Sequence, residues 1–183
     1  MSLFKENPMA ELGSAIGKGL LAGLAATAAM TISQMIEMKI NGRKPSDAPV
    51  KVAEETLGAK PAPGEKAKMT EEVHFAYGTT WGIARGLISL TGLKGFPATL
   101  AHFVAVWGTS MIMLPAFKVA PPVYEEDPKS IVIDGLHHAV YATVAGLTYD
   151  ALDTRSGHER FFKKVGKLGS LKKLSKELKK KIA

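Results

Sequence analysis

Residues 72 to 118 constrain this chain more than any other stretch. They read as two membrane-spanning helices, 73–93 and 96–117, joined by a tight turn at Gly92, Leu93, Lys94 and Gly95. At about 1.5 Å of rise per residue, each leg is long enough for a hydrocarbon core of roughly 30 Å. A glycine-bounded turn between two such legs leaves them antiparallel and adjacent, so residues equally far from the turn share a depth. By that count Trp81 and Trp107 lie level, and Arg85 lies near His102.

Two further apolar segments flank this hairpin. The first, about 13–38, is built from Ala, Gly, Ser and Thr, which let helix backbones approach closely in lipid. The other, about 131–152, follows an extended, proline-bearing connection, with Ser130 as its expected cap. Between the first and second spans runs a polar loop, 39–70. Asn41-Gly42 ends the preceding helix, Ser46 or Asp47 caps a short helix stopped by Gly58, and exposed linker follows. The expected fold is therefore all-α: a four-helix transmembrane bundle over 1–153 and a basic amphipathic helical tail over 154–183.

Charge follows the same division. The whole chain carries +7, but residues 155–183 hold 11 Lys/Arg against Glu159 and Glu177. Apolar residues recur there at three- and four-residue steps, with Lys163, Lys164, Lys167, Lys172, Lys173, Lys176, Lys179, Lys180 and Lys181 on the other positions. Such a helix suits an anionic leaflet, and positive charge beside a span marks the cytoplasmic side. Four spans then place both termini in the cytoplasm. Nucleic acid is the weaker partner, because aromatics are interleaved only at Phe161-Phe162. Mean hydropathy is only +0.05 because this tail and the polar loop offset the spans. Glu6 and Glu11 interrupt the N-terminus, which does not read as a cleavable signal peptide.

The candidate functional residues are the polar groups inside the spans. His74, Tyr77, Arg85, His102, Asp134, His137, His138 and Tyr141 all lie there, where ionisable groups are costly and mark function or internal pairing. His74 and the His137/His138 pair fall toward one surface, His102 toward the other. Gly78, Gly82 and Gly86 form a double G-x-x-x-G on the stripe of His74, Tyr77, Trp81 and Arg85, a helix-packing face. Four readings follow. The polar groups bond one another and hold together a non-enzymatic accessory or interaction subunit. Several copies assemble into a small channel-like oligomer. The span histidines serve a haem or quinone redox subunit, with His74 and His138 as axial haem ligands. Or Asp134, His138, Tyr141 and Arg85 form a proton or small-solute path. No other metal site is expected; the chain has no cysteine. It also lacks a serine elbow, an H-E-x-x-H and a phosphate loop, so no catalytic group is assigned.

The strings HFAYGTTWGIARGL (74–87), AHFVAVWGTSMIMLPAFKVAPP (101–122) and DGLHHAVYA (134–142) resemble a group of small bacterial integral membrane proteins with no established activity, and more distantly the YagU-type inner-membrane proteins. The resemblance spans about 15–152 and excludes the basic tail. It implies a four-span protein of the bacterial inner membrane and implies no activity. The expected partners are the bilayer, anionic head groups at the tail, and a homo-oligomer or larger membrane complex.

Overall fold

The computed structural model describes residues 8–153. The basic segment, including the nine tail lysines, lies outside the described residues. The chain divides into two compact units, Met1–Tyr149 and Asp150–Ala183, and the architecture below is that of the first. The described residues form five α-helices and no strand: α1 (Pro8–Asn41), α2 (Ala48–Leu57), α3 (Lys66–Leu90), α4 (Gly95–Ala116) and α5 (Pro128–Leu152).

Helix boundaries follow local chemistry. α1 opens on Pro8 and closes at Asn41, where Gly42 adopts φ 66°. In α2 the Ser46 hydroxyl accepts the Ala48 N–H at 3.2 Å, and left-handed Gly58 (φ 63°) returns its N–H to the Glu54 carbonyl. α3 begins at Lys66, several residues before the expected span, because nothing between Gly64 and Gly92 breaks a helix and KAKMTEE is rich in helix formers. The linker is correspondingly shorter than expected. Pro115 sits next to the last residue of α4, where its missing N–H ends the helix. Two local expectations need correction. Residues 118–130 are not wholly extended: beyond Pro122 the chain makes a 3-10 turn, Val123–Glu125. The cap of α5 is Asp127, whose carboxylate accepts the Ser130 N–H at 3.3 Å and its hydroxyl at 3.4 Å.

α1 and α3 pack backbone to backbone, antiparallel. Ala15, Gly19, Gly23 and Thr27 recur every four residues on α1 and face Gly86, Gly82 and Gly78 on α3. A Cβ at Gly82 would collide with the Gly19 carbonyl oxygen and the Gly23 backbone, so only glycine permits this approach. α4 and α5 stand further apart, and the Trp107 ring and Thr99 side chain fill the space against Gly135 and Gly146. All four long helices meet at Ala26 and Met30 of α1, Val106 of α4 and Tyr141 and Ala145 of α5, with Trp81 of α3 packed against them.

The distribution of polarity is inverted relative to a water-soluble bundle. Arg85, His102 and Thr27 are fully buried. Outward-facing apolar side chains include Ile112 at 74% exposure, Phe96 at 76% and Leu147 at 69%. Two helices, α1 of 34 residues and α4 of 22, are long and apolar enough to cross a membrane. α3 and α5 have 25 residues each but carry the interior polar groups, which lowers their hydropathy.

The backbone contact makes a sharp prediction. Gly82→Ile should destabilise the protein by about 3 kcal/mol, the upper end for overpacking. Gly108→Ala, which has open space around it, should be neutral or stabilising by up to about 1 kcal/mol. Reversible unfolding in mixed detergent micelles would measure both.

Candidate functional site

The ends of α1 and α4 and the beginnings of α3 and α5 meet at one end of the helical array. There they enclose a cavity of ≈ 560 Å³, and α2 supplies a side wall through Ala48, Pro49 and Val52. α2 is held by apolar contact, since Val50 and Ala53 are buried. It is also held by charge: the Asp47 carboxylate meets Lys66 Nζ at 2.7 Å and Lys51 Nζ at 3.0 Å. The hydrogen bond from Lys66, followed by that from Lys51, keeps the Asp47 carboxyl below its ordinary 3.8. The same bond lifts Lys66 above its ordinary 10.5.

Six of the sequence-selected polar residues line this cavity: His74 and Tyr77 from α3, and Asp134, His137, His138 and Tyr141 from α5. Asp134 is anchored across helices. Its Oδ2 accepts the Trp107 indole N–H at 3.0 Å and lies 3.4 Å from His138 Nδ1. His138 Nδ1 also lies 2.9 Å from the Asp134 carbonyl oxygen, which can only accept, so Nδ1 carries the proton. His137 joins α5 to α1: its Nδ1 is 2.9 Å from Ser33 Oγ, and its Nε2 is 3.8 Å from the Glu37 carboxylate. Glu37 in turn receives Arg43 Nε and a terminal guanidinium nitrogen at 2.9 and 2.7 Å and Asn41 Nδ2 at 3.1 Å. Tyr141 donates its hydroxyl hydrogen to the Gly78 carbonyl oxygen. The remaining wall carries four methionines, Met30, Met35, Met38 and Met113, interspersed with polar residues that include Thr31, Gln34, Thr70 and Glu71.

Arg85 and His102 lie deeper and do not line the cavity. The Arg85 guanidinium stacks over the Tyr149 ring, 4.7 Å from its centroid, and the Tyr149 hydroxyl is 2.6 Å from Ser89 Oγ. His102 Nε2 is 3.1 Å from the Trp81 carbonyl oxygen, so the proton resides on Nε2. Trp81 lies one turn before Arg85, consistent with a shared depth for Arg85 and His102. The His102 ring also meets Tyr141 at 5.6 Å. The interior polar groups therefore form two sets. Tyr141, which lines the cavity and meets His102, links them, and it packs in one apolar cluster with Ala26, Met30, Val106 and Ala145.

Sequence reasoning missed Ser33, Glu37, Asn41 and Arg43 as members of the site. Ser33 and Glu37 are one turn apart on α1 and so share a face, which was a legible signal. Their match to His137, 104 positions from Ser33, was not. Gly78, Gly82 and Gly86 lie against α1 within the same chain.

Two ring nitrogens of the cavity wall, His74 Nε2 and His137 Nε2, are buried without a hydrogen-bond partner among the described residues. Among those residues no group of three or more His, Asp or Glu side chains could hold a metal ion. His74 and His138, the expected axial haem pair, share the cavity. His138 gives its Nδ1–H to Asp134 and keeps Nε2 as its other ring nitrogen, while the buried wall nitrogens without a hydrogen bond belong to His74 and His137. No family model, curated protein or solved structure matches the chain.

Trp107→Phe keeps the ring but leaves Asp134 without its indole donor. It should cost about 1–3 kcal/mol in detergent unfolding, as expected for a partly buried acceptor losing a charged hydrogen bond. The α2 latch should respond to pH at both extremes. Asp47 stabilises docking above 3.8, and that contribution is lost as pH falls through its lower folded value. Lys66 contributes fully below 10.5 and loses its contribution as pH rises through its higher folded value. Hydrogen exchange of the 48–57 amides, corrected for intrinsic rate, should stay constant between about pH 5 and 10. Asp47→Asn should raise it at neutral pH.

Proposed function

We propose that this chain is a four-span integral membrane protein of the bacterial inner membrane, with α1, α3, α4 and α5 as the spans and both termini cytoplasmic. It acts as a non-enzymatic binding or accessory subunit that holds a small lipophilic molecule in the cavity between its helices. One observation carries the reading: Arg85, His102 and His137 are buried, while each of the four long helices exposes large apolar side chains, such as Leu21 and Ile32, Leu87 and Leu90, Val104 and Ile112, and Val132 and Leu147. Water rewards the opposite arrangement, and lipid rewards this one. α3 and α5 cross despite their polar residues because Arg85, His102 and His137 face the interior, not the acyl chains.

Among the functional readings, binding fits the cavity best. Ala26, Met30, Val106, Tyr141 and Ala145, with Trp81 against them, pack the middle of the array, which weighs against conduction through a single chain. The glycine faces are occupied by α1–α3 packing, so an oligomer or larger complex would use other surfaces. Volume also supports binding, since small-molecule sites occupy about 300–1,000 Å³.

The absence of cysteine permits a direct topology test. Ser46→Cys and Lys94→Cys should label from opposite sides of the membrane with an impermeant maleimide, Ser46→Cys in intact spheroplasts and Lys94→Cys only after permeabilisation. Equal labelling of both sites in intact spheroplasts, with release of the protein by a salt wash, would overturn the four-span reading.

A further inference from the structure

We propose that the cavity takes a neutral amphiphile of the quinone class, its carbonyl-bearing ring held by His74 and His137 and its chain lying along the methionine wall. This inference rests on the membrane-embedded binding reading above and adds the chemistry of the ligand.

The unsatisfied atoms come first. His137 is almost completely buried and reaches the cavity with Nε2 lacking a hydrogen bond among the described residues; His74 Nε2 is in the same condition on the facing helix. A buried polar atom left in this state costs about 1–3 kcal/mol, which a ligand supplying the partner would recover. Because the two atoms sit on α3 and α5, the fitting ligand offers hydrogen-bonding groups at separate edges. A para-dicarbonyl ring does so, with an acceptor at each of two opposite edges; a simple alcohol, with one oxygen, does not.

Charge decides the head group. Asp134 is already compensated by the Trp107 N–H and His138, and Arg43 is committed to Glu37. Glu71, the other carboxylate of the lining, is exposed. The interior thus offers no uncompensated cation for a carboxylate or phosphate head and no uncompensated anion for an ammonium. Shape decides the rest. Trp81 and Tyr77, in edge contact at 6.1 Å between centroids, present aromatic surface to a planar ring. Methionines adapt to an irregular aliphatic chain.

Decylubiquinone, titrated into the protein in lipid nanodiscs and read by tryptophan quenching, should bind saturably. His74→Phe and His137→Phe should each raise its Kd about tenfold, the effect of one lost hydrogen bond to a buried ring nitrogen. His74→Gln, which restores an amide donor, should recover most of the affinity, and so separates head-group contact from damage to folding. Dodecanoate and dodecylamine should bind at least tenfold more weakly. Ser110→Cys, in the cavity wall, tests the chamber itself through its reaction with N-ethylmaleimide. An inert Ser110→Cys would overturn the binding reading. A reactive Ser110→Cys that decylubiquinone does not protect, or tighter binding of either charged amphiphile, would overturn the quinone assignment alone. Equal affinity for the His74→Phe, His137→Phe and unmodified proteins would do the same.

Discussion

The backbone contact between α1 and α3 is the constraint on which the other placements depend. Small residues at every fourth position of both helices remove side chains from the interface, so carbonyl and Cα atoms of one helix rest on those of the other. Close van der Waals packing of backbone on backbone holds such a contact. The turn at 91–94 then places α4 against α3, while Gly135 and Gly146 receive side chains of α4 and set the position of α5. Close packing on one side and ring-filled spacing on the other leave a gap at one end, and that gap is the cavity.

The interior polar groups follow from this geometry. A guanidinium beneath a helix surface needs a partner that costs little desolvation, and the face of Tyr149 provides one. The imidazole of His102 spends its proton on a main-chain carbonyl of α3, and Tyr141 does the same with its hydroxyl. These bonds tie α4 and α5 to the α1–α3 pair through the backbone, independently of the side chains at the receiving positions. Among the cavity histidines, His137 meets the Ser33 hydroxyl and His138 meets both the carbonyl and the carboxylate of Asp134, while His74 Nε2 and His137 Nε2 are buried without a hydrogen bond among the described residues.

Much of the architecture was legible because helix breakers stand where helices end. Gly42, Gly58 and Gly92 each adopt positive φ close to an expected boundary. The start of α3 and the cap of α5 were less legible, since helix formers run through the first and Asp127 outcompetes Ser130 at the second. Depth counting groups His74 with the His137/His138 pair, and helical period adds Asp134 and Tyr141 to the face of His138; all five line the cavity. Arg43, Glu37 and Ser33 could not be gathered this way, because their relevance arises only when α1 meets α5.

By itself, the amino-acid sequence determined the helices, their antiparallel order and the glycine spacing, because hydropathy, helix period and turn chemistry are local properties of neighbouring residues. Tertiary structure alone decided that the glycines are used within the chain, that Arg85 rests on Tyr149, and that a cavity opens between four helix ends with two histidine nitrogens unsatisfied. Those outcomes depend on which faces meet between helices far apart in the chain, as Thr27 and Gly78 or Ser89 and Tyr149 do, and no local pattern specifies them.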